Sequence, residues 1–351
     1  MPLTVVDGGM LSATNAQYTM FKNRLINCEM SIDQRNAGAA ISTAGGGYVV
    51  DRWQVQYGTG TLTLQQSTQA PAGFVNSIGI TVTSAGTRLA TDYFLLNQKI
   101  EGFNFSDLNF GSANAATVTL SFWVRSSVTG TYSGVLASGD NTRTYPFNYT
   151  ISAANTWEQK SVTVAGDTSG GTTAYPITNG IGLFVKFDLG SGTNYELASA
   201  GSWQVATNKI GTTSQVGWAQ TAGATFYVTG VQLEKGSTAT AFDYRPYGTE
   251  LSLCQRYYEI LGGGVADISC TWYATAGAQT TGQTMFFKVT KRATPTVTKI
   301  GTWTVQNCGQ PTAAGNVGIG SLNLYATSSA AGLVIYSTSS SSTYLTVDIE
   351  L

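Results

Sequence analysis

The sequence predicts an all-β protein built as a sandwich or a barrel. Apolar and polar residues alternate in many short segments, which is the pattern of strands with one buried face. Glycine-rich turn sequences separate these segments, and only one segment has a helical spacing of apolar residues. With 351 residues, of which 42% are hydrophobic, the chain is long enough for two or three domains with hydrophobic cores.

Six alternating segments predict strands along the chain. Their apolar positions are, in order, Ile78, Ile80 and Val82; Val118, Leu120, Phe122 and Val124; Tyr145, Phe147, Tyr149 and Ile151; Ile181, Leu183, Val185 and Phe187; Met285, Phe287 and Val289; and Leu345, Val347 and Ile349. The alternation changes phase between Val228 and Val231, and Gly230 at this point predicts a β-bulge.

The chain divides into three predicted parts. Residues 1–47 are weakly patterned and end in a glycine run, so we interpret them as an extended N-terminal arm for attachment. Residues 48–246 hold most of the predicted strands, and the proline and glycine within 242–250 predict a linker. Residues 247–351 are expected to form a second, smaller β-domain. It starts with the one candidate helix, whose apolar residues are Leu251, Cys254, Tyr258 and Leu261.

The chain contains no histidine, and this absence narrows the chemistry it can perform. Histidine-dependent nucleophilic sites and imidazole metal sites are excluded. Charged residues make up 11% of the chain, against about 25% in ordinary domains, and the net charge is −1. Nucleic acid is not an expected partner, because its binding depends largely on neutralising phosphates. No phosphate-binding loop is recognisable, and we expect no cofactor and no metal.

Targeting and redox signals are equally sparse. The first ten residues, MPLTVVDGGM, lack the basic run and apolar core of a secretory signal. No run of eighteen apolar residues occurs, so we expect synthesis in the cytoplasm and no membrane insertion. Four scattered cysteines predict buried free thiols, with one contact among the last three as the alternative: Cys28, Cys254, Cys270 and Cys308.

Acidic residues give little support for a hydrolytic site. A glycosidase needs two facing carboxylates, and the acids of the central part show no paired spacing. Asp140 and Asp167 lie in glycine-rich turns, where a carboxylate commonly caps the turn. Glu158 is expected on a solvated face. The run from Asp140 to Thr142 offers oxygen ligands for calcium, but an Asx-turn explains it as well.

Aromatic residues are the stronger functional signal. The chain has 18 tyrosines, 14 phenylalanines and 7 tryptophans beside a neutral polar surface. Aromatic faces stack on sugar rings, while neutral amides and hydroxyls bond the sugar hydroxyl groups. Trp123 lies opposite the apolar phase of its strand, and Trp157, Trp203 and Trp218 flank turn-rich segments. These four tryptophans are candidates for glycan stacking, and the alternative is that they belong to the core or to a subunit interface.

Several motifs bracket the central part. Residues 23–36 read NRLINCEMSIDQRN, residues 51–53 read DRW, and residues 231–247 read VQLEKGSTATAFDYRPY. Residues 250–259 follow with ELSLCQRYYE. In combination these motifs resemble a family of bacteriophage tail-fibre and other virion fibre proteins, over about residues 23–260. In that family the motifs enclose a jelly roll similar to carbohydrate-binding modules, and a C-terminal β-domain follows.

The resemblance implies a jelly-roll β-sandwich, a homotrimer, a place on the virion and recognition of host-surface glycan. The matched motifs lie at module edges, so we interpret their residues as structural. Trp53 and Phe242 are expected to anchor the first and last strands. Arg52 and Arg245 are expected to pair with nearby carboxylates, which suits the guanidinium fork. Those carboxylates are Asp51, Asp243 and Glu234, and the remaining motif residues are Cys254, Arg256, Tyr257 and Tyr258.

Three functional hypotheses remain. The first is a non-enzymatic phage fibre or spike component that binds cell-surface carbohydrate and contacts other virion proteins through its N-terminal arm. The second is a purely structural capsid fibre, decoration protein or adaptor. The third is a glycan depolymerase that works with carboxylates alone.

Overall fold

The computed structural model describes residues 21–312 and 316–351. Strands dominate these residues, and the two α-helices described are α1, Gly171–Ala174, and α2, Tyr247–Gln255. Neither helix is long and apolar enough to cross a bilayer. The all-β prediction is therefore confirmed.

Two antiparallel sheets form the larger part of the structure. The first has seven strands, in the spatial order β1 Gly46–Val50, β2 Trp53–Tyr57, β5 Phe94–Glu101, β10 Ile181–Asp188, β7 Gly130–Ser138, β8 Arg143–Ile151 and β12 Gln204–Val205. The second has five, in the order β3 Thr61–Ser67, β4 Ser77–Ser84, β14 Thr225–Lys235, β6 Val118–Ser126 and β9 Glu158–Val164. The chain passes repeatedly from one sheet to the other, as in a jelly roll. A short parallel pair, β11 Glu196–Leu197 and β13 Gly211–Thr212, lies outside both sheets.

The core fills the space between the two sheets. The predicted apolar positions of β4, β6, β8 and β10 point into it and are almost completely buried, except Ile181, which is half-buried and packs against a separate cluster. Aromatic rings meet there across the sheets: the centroid of Phe122 lies 5.0 Å from those of both Phe187 and Tyr149, in edge-to-face geometry. Trp53 is fully buried beside Phe187 and donates its indole N–H to the carbonyl of Asn27. The alternation of apolar and polar residues along each strand therefore gives each sheet one buried face, and the two buried faces pack together as predicted.

The predicted bulge in β14 is present. The register between β14 and β6 shifts between Thr229 and Gln232, and Gly230 has a φ of +61°. A Cβ atom at this position would lie 2.6 Å from the ring of Phe74. The apolar residues of β14 before the bulge and those after it are in opposite phases, and the bulge lets both sets face the core.

Replacing Gly230 with alanine is expected to lower the free energy of unfolding by about 1–3 kcal/mol, because the new methyl meets a ring and the backbone is left-handed. Chemical denaturation measures this change. Gly248→Ala in α2 is the control, since nothing lies within 4 Å of a Cβ there; it is expected to be neutral or to stabilise by up to about 1 kcal/mol. Equal stability of the two variants would contradict the role of the bulge.

The described part of the predicted N-terminal arm does not extend away from the sandwich. Leu25, Cys28 and Met30 are buried in the main core, and the amide of Arg24 donates to the carbonyl of Leu233 in β14 at 2.9 Å. Apolar side chains in this segment made burial favourable, which corrects the expectation of an arm reaching to residue 47. Residues 1–20 lie outside the described residues, so an attachment role for them remains a prediction.

The smaller β-region follows α2 and has its own core. Its sheets are β15 Tyr258–Gly262, β22 Tyr344–Asp348 and β18 Thr296–Ile300; β16 Ser269–Ala274, β21 Gly332–Ser337 and β19 Thr304–Gln306; and β17 Thr280–Phe286 with β20 Ser321–Thr327. Trp303, Tyr336 and Leu324 are among the buried residues. The helix ends at Gln255, so Tyr258 and Leu261, predicted to be helical, instead pair in β15 with β22. All four cysteines are free, and Cys270 alone is half-buried.

Candidate functional site

The motif residues meet where the sandwich contacts the smaller β-region, and we call this contact the junction. Arg52 is 3% exposed and forms an ion pair with Glu350. Its guanidinium carbon lies 3.6 Å from the ring centroid of Tyr257, and its Nη2 donates to the carbonyl of Lys99 at 2.7 Å. The sequence predicted Asp51, Asp243 or Glu234 as the partner of Arg52; the structure places Glu350 there instead.

Arg35 forms the second half of the junction. Its guanidinium lies 3.1 Å from Asp348, 3.3 Å from Glu350 and 3.7 Å from Asp51. It also stacks on Tyr258, with 3.6 Å between the guanidinium carbon and the ring centroid. Cations and carboxylates from both ends of the chain thus hold the two regions together.

Arg256 and Tyr257 attach the smaller region to strand β5. Arg256 forms a two-point contact with the Glu101 carboxylate, at 2.8 and 2.6 Å, and the Tyr257 hydroxyl donates to the same carboxylate. Burial alone would raise the pKa of Glu101, but the hydrogen bonds from Arg256 and Tyr257 outweigh it and hold the pKa below its usual value. Cys254 is buried beside Tyr257, and burial raises the pKa of its thiol.

Arg245 fixes the N-terminal segment against the start of α2. Its Nη1 donates to the carbonyl of Leu25 at 3.1 Å and lies 3.3 Å from Glu250, while its Nε lies 3.9 Å from Asp243. The neighbouring Phe242 packs edge-to-face on Phe74, with 5.1 Å between centroids. Glu234, another expected partner, instead accepts hydrogen bonds from Thr240 and Gln232. These residues of the matched motifs therefore make their contacts within the chain.

The junction makes stability depend on pH through Asp51. Burial raises the pKa of Asp51 to about 7, despite Arg35 and the hydrogen bonds from Gln34. The carboxyl group of Asp51 therefore binds its proton more tightly in the folded state than in the unfolded state. Protonation of Asp51 stabilises the folded state at pH 4, and this stabilisation is lost as the pH rises to 7.

Over that pH range we expect the unfolding free energy of the wild type to fall relative to that of Asp51→Asn, by on the order of 3–4 kcal/mol. Denaturant titrations at pH 4, 5.5 and 7 measure the difference. Any change in packing or hydrogen bonding that the asparagine causes has the same effect on the unfolding free energy at each pH, so it cancels when the pH values are compared. A constant difference across the range would contradict a raised pKa for Asp51.

The four candidate tryptophans separate into two classes. Trp218 is fully buried, packs against Phe226 and donates to the carbonyl of Thr225, so a ligand does not reach it. Trp203 is half-buried and held among aromatic rings, and its indole N–H donates to the carbonyl of Ala165 at 2.7 Å. The prediction that a glycan stacks on Trp218 is therefore corrected. The ring of Trp203 is largely in contact with neighbouring aromatic side chains of the protein.

Trp123 and Trp157 lie together on the outer face of the five-stranded sheet. Trp123 pairs with Gln159 of β9 and Thr229 of β14, and Trp157 directly precedes β9. Tyr227 lies on the same face, with its ring centroid 6.3 Å from that of Trp157. These side chains are half-buried, and Gln159 is exposed. We call Trp123, Arg125, Trp157, Gln159 and Tyr227 the aromatic patch.

The absence of a side chain at Gly79 helps to place Tyr227. Gly79 pairs with Tyr227 across β4 and β14, and a Cβ at Gly79 would lie 3.0 Å from the tyrosine ring. The ring therefore lies close over the backbone of β4. A flat ring beside half-exposed tryptophans offers a stacking surface for a planar or ring-shaped ligand.

Two other parts of the outer sheet surfaces are covered by the protein itself. At the other end of the same face, Thr240 donates to Glu234 at 2.9 Å and Thr119 donates to the carbonyl of Gly236 at 2.9 Å. On the outer face of the seven-stranded sheet, Asp188 is fully buried and accepts from Gln215 at 2.7 Å. The side chains of the aromatic patch are, by contrast, half-buried or exposed.

Comparisons with known proteins assign no family. No family profile matches the chain, and no curated protein matches it in sequence. The solved structures that match include tailspike protein 4 of bacteriophage CBA120, in its enzymatically active domain, at 11% identity and a TM-score of 0.32, over 61% of this chain and 22% of that one. They include TmCBM61 in complex with beta-1,4-galactotriose, at 9% identity and a TM-score of 0.32, over 61% and 99% of the two chains. A putative sugar-binding protein from Bacteroides thetaiotaomicron matches at 13% and 0.32, over 61% and 100%.

The acidic residues considered for chemistry have structural partners. Asp140 accepts from the backbone and hydroxyl of Thr142, which is an Asx-turn, and hydrogen bonds outweigh burial and lower its pKa. Asp167 accepts from Arg143 and from the hydroxyl of Tyr175 at 2.7 Å. Across residues 21–312 and 316–351, no group of three acids or cysteines is arranged to hold a metal ion.

Sequence reasoning missed several residues of the junction and of the patch. Tyr227 carried a usable signal, because it lies out of phase with the buried Phe226 and Val228 in the same way as Trp123 in its strand. No sequence signal indicated the role of Glu350, because its partner Arg52 lies 298 residues away.

Proposed function

We propose that the protein is a non-enzymatic component of a phage virion fibre that binds cell-surface carbohydrate through the aromatic patch. The observation that carries the proposal is the half-exposed set of Trp123, Trp157 and Tyr227, bordered by the amide of Gln159. Such rings cover the C–H faces of sugars, and amides bond the sugar hydroxyls.

The chemistry of the surrounding surface supports this proposal. The outer face of the sheet continues from the patch with hydroxyl and amide side chains, such as Thr63, Thr81 and Gln65. These side chains are exposed or half-buried on a sheet surface, which suits an extended polysaccharide better than an enclosed small ligand.

Glycan binding is tested with an array of bacterial surface polysaccharides and the purified full chain. Trp157→Ala is expected to weaken binding about five- to thirtyfold, because one stacked ring contributes about 1–2 kcal/mol. The matched control is Tyr247→Ala, which removes a ring that is 62% exposed at the start of α2. Absence of glycan binding by the wild type, or an equal loss in both variants, would overturn the proposal.

The place on the virion rests on the resemblance of the junction motifs and on the low charge of the chain. Labelling of purified particles tests it. Label on the tail supports a fibre, whereas label on the head supports the structural alternative of a capsid fibre, decoration protein or adaptor.

We also propose that three copies assemble. The smaller region exposes large apolar side chains, including Val265, Tyr273 and Phe286, each more than 70% exposed. Apolar surface of this kind is typical of a face that meets another subunit. Sedimentation is expected to give a stable trimer, and a stable monomer at micromolar concentration contradicts it.

A further inference from the structure

Arg125 is the charged member of the aromatic patch. Its guanidinium carbon lies 5.3 Å from the ring centroid of Tyr227, and it occupies the same face of β6 as Trp123. The Nε donates to the carbonyl of Asn155 at 2.9 Å, and Nη1 donates to the side-chain oxygen of Gln69. These two contacts and the ring hold the guanidinium in place without neutralising its charge.

Much of the hydrogen-bonding capacity of this guanidinium is unused. A guanidinium has five N–H groups, and within the described residues the two contacts above use one from Nε and one from Nη1. No carboxylate of the described chain lies within 4.0 Å of it. Three donors therefore remain for a ligand, including both N–H groups of Nη2.

The neighbouring carboxylate is already satisfied elsewhere. Glu158 begins β9 beside the patch, but it is bound by Lys160 at 2.6 Å and by the backbone amides of Ser152 and Ala153 at 2.8 and 3.0 Å. Hydrogen bonds from these groups outweigh burial and hold the pKa of Glu158 below its usual value. It remains ionised near neutral pH and paired with Lys160, so Arg125 gives the patch a positive charge.

We propose that the patch selects an acidic sugar, whose carboxylate is bound by Arg125 while its ring stacks on Trp157 or Tyr227. This inference rests on the proposed glycan binding and adds its ligand class. The planar guanidinium matches a carboxylate with two parallel hydrogen bonds, which an ammonium group does not reproduce. A neutral sugar leaves the same donors to water and gains only the stacking.

The test compares polyuronates with their carboxyl-reduced forms. Polygalacturonate, alginate and hyaluronan oligosaccharides are titrated into the full chain, before and after reduction of the carboxylates to alcohols. At least one acidic form is expected to bind about tenfold more tightly than its reduced form. Arg125→Gln is expected to remove this difference, because only the acidic form uses the charge of the guanidinium. Arg125→Lys is expected to fall between the wild type and Arg125→Gln.

Two controls separate the outcomes. Lys235→Gln makes the same change in net charge at the exposed end of β14 and is expected to keep the preference. A sulfated glycan, chondroitin sulfate with its carboxylates reduced, shows whether charge alone is enough; equal affinity for it overturns carboxylate selection. Binding of neutral glycans alone, or equal binding of acidic and reduced forms, overturns this inference but leaves the proposed function standing. Absence of any glycan binding overturns both.

Discussion

Replacing Arg52 with alanine is expected to lower the free energy of unfolding by about 3–5 kcal/mol, because it breaks a buried ion pair and leaves Glu350 with Arg35 as its remaining cation. It also removes the stacking of the guanidinium on Tyr257 and its hydrogen bond to the carbonyl of Lys99. Chemical denaturation followed by tryptophan fluorescence measures the change.

The matched control is the exposed pair of Arg24 and Asp107, whose side chains are 21% and 49% exposed. Asp107→Ala is expected to cost less than about 1 kcal/mol, since solvent screens the pair. The double variant Arg52→Met with Glu350→Leu is expected to cost less than Arg52→Ala alone, because it removes both buried charges of the pair while Arg35 keeps Asp348 as its partner. Equal costs at the buried and exposed pairs would show that the junction contributes little to stability.

Replacing Trp218 with alanine is expected to lower the free energy of unfolding by about 3–5 kcal/mol and to leave intrinsic glycan affinity unchanged at temperatures where the variant is folded. The indole is fully buried against Phe226, so its removal leaves a cavity and loses a hydrogen bond to Thr225.

Trp157→Ala is the complementary variant. It is expected to change stability by less than about 1 kcal/mol, because the side chain is half-exposed, and to lose glycan affinity. Calorimetric unfolding and glycan titration of both variants separate the two roles. A stable Trp218→Ala protein that fails to bind glycan would contradict the assignment of this tryptophan to the core.

The sheets were predictable because their information is local. Alternation with a period of two placed β4, β6, β8 and β10, and the phase change at Gly230 located the bulge. The same local signal misled at α2, where a helical spacing continued past Gln255 into residues that pair with β22. These residues form a strand because they pair with another strand about 90 positions later. The spacing of apolar residues carries no information about such a distant partner.

The candidate site was predictable only in part. The strand phase of Trp123 indicated its outward direction, whereas a position beside a turn did not distinguish the half-exposed Trp157 from the buried Trp218. The junction was less accessible still. Arg35 and Glu350 meet through folding of nearly the whole chain, and any of the 19 acids was an equal partner before the topology was known.

The separation of Arg52 and Glu350 in the sequence determines when their ion pair can form during synthesis. The two residues lie 298 positions apart, so at 5–20 residues per second the ribosome reaches Glu350 roughly 15–60 s after Arg52. Throughout that interval the nascent sandwich carries an arginine destined for burial without its carboxylate. Completion of the junction therefore waits on translation of residues near 350, and a pause between the two regions would prolong the life of an intermediate without it.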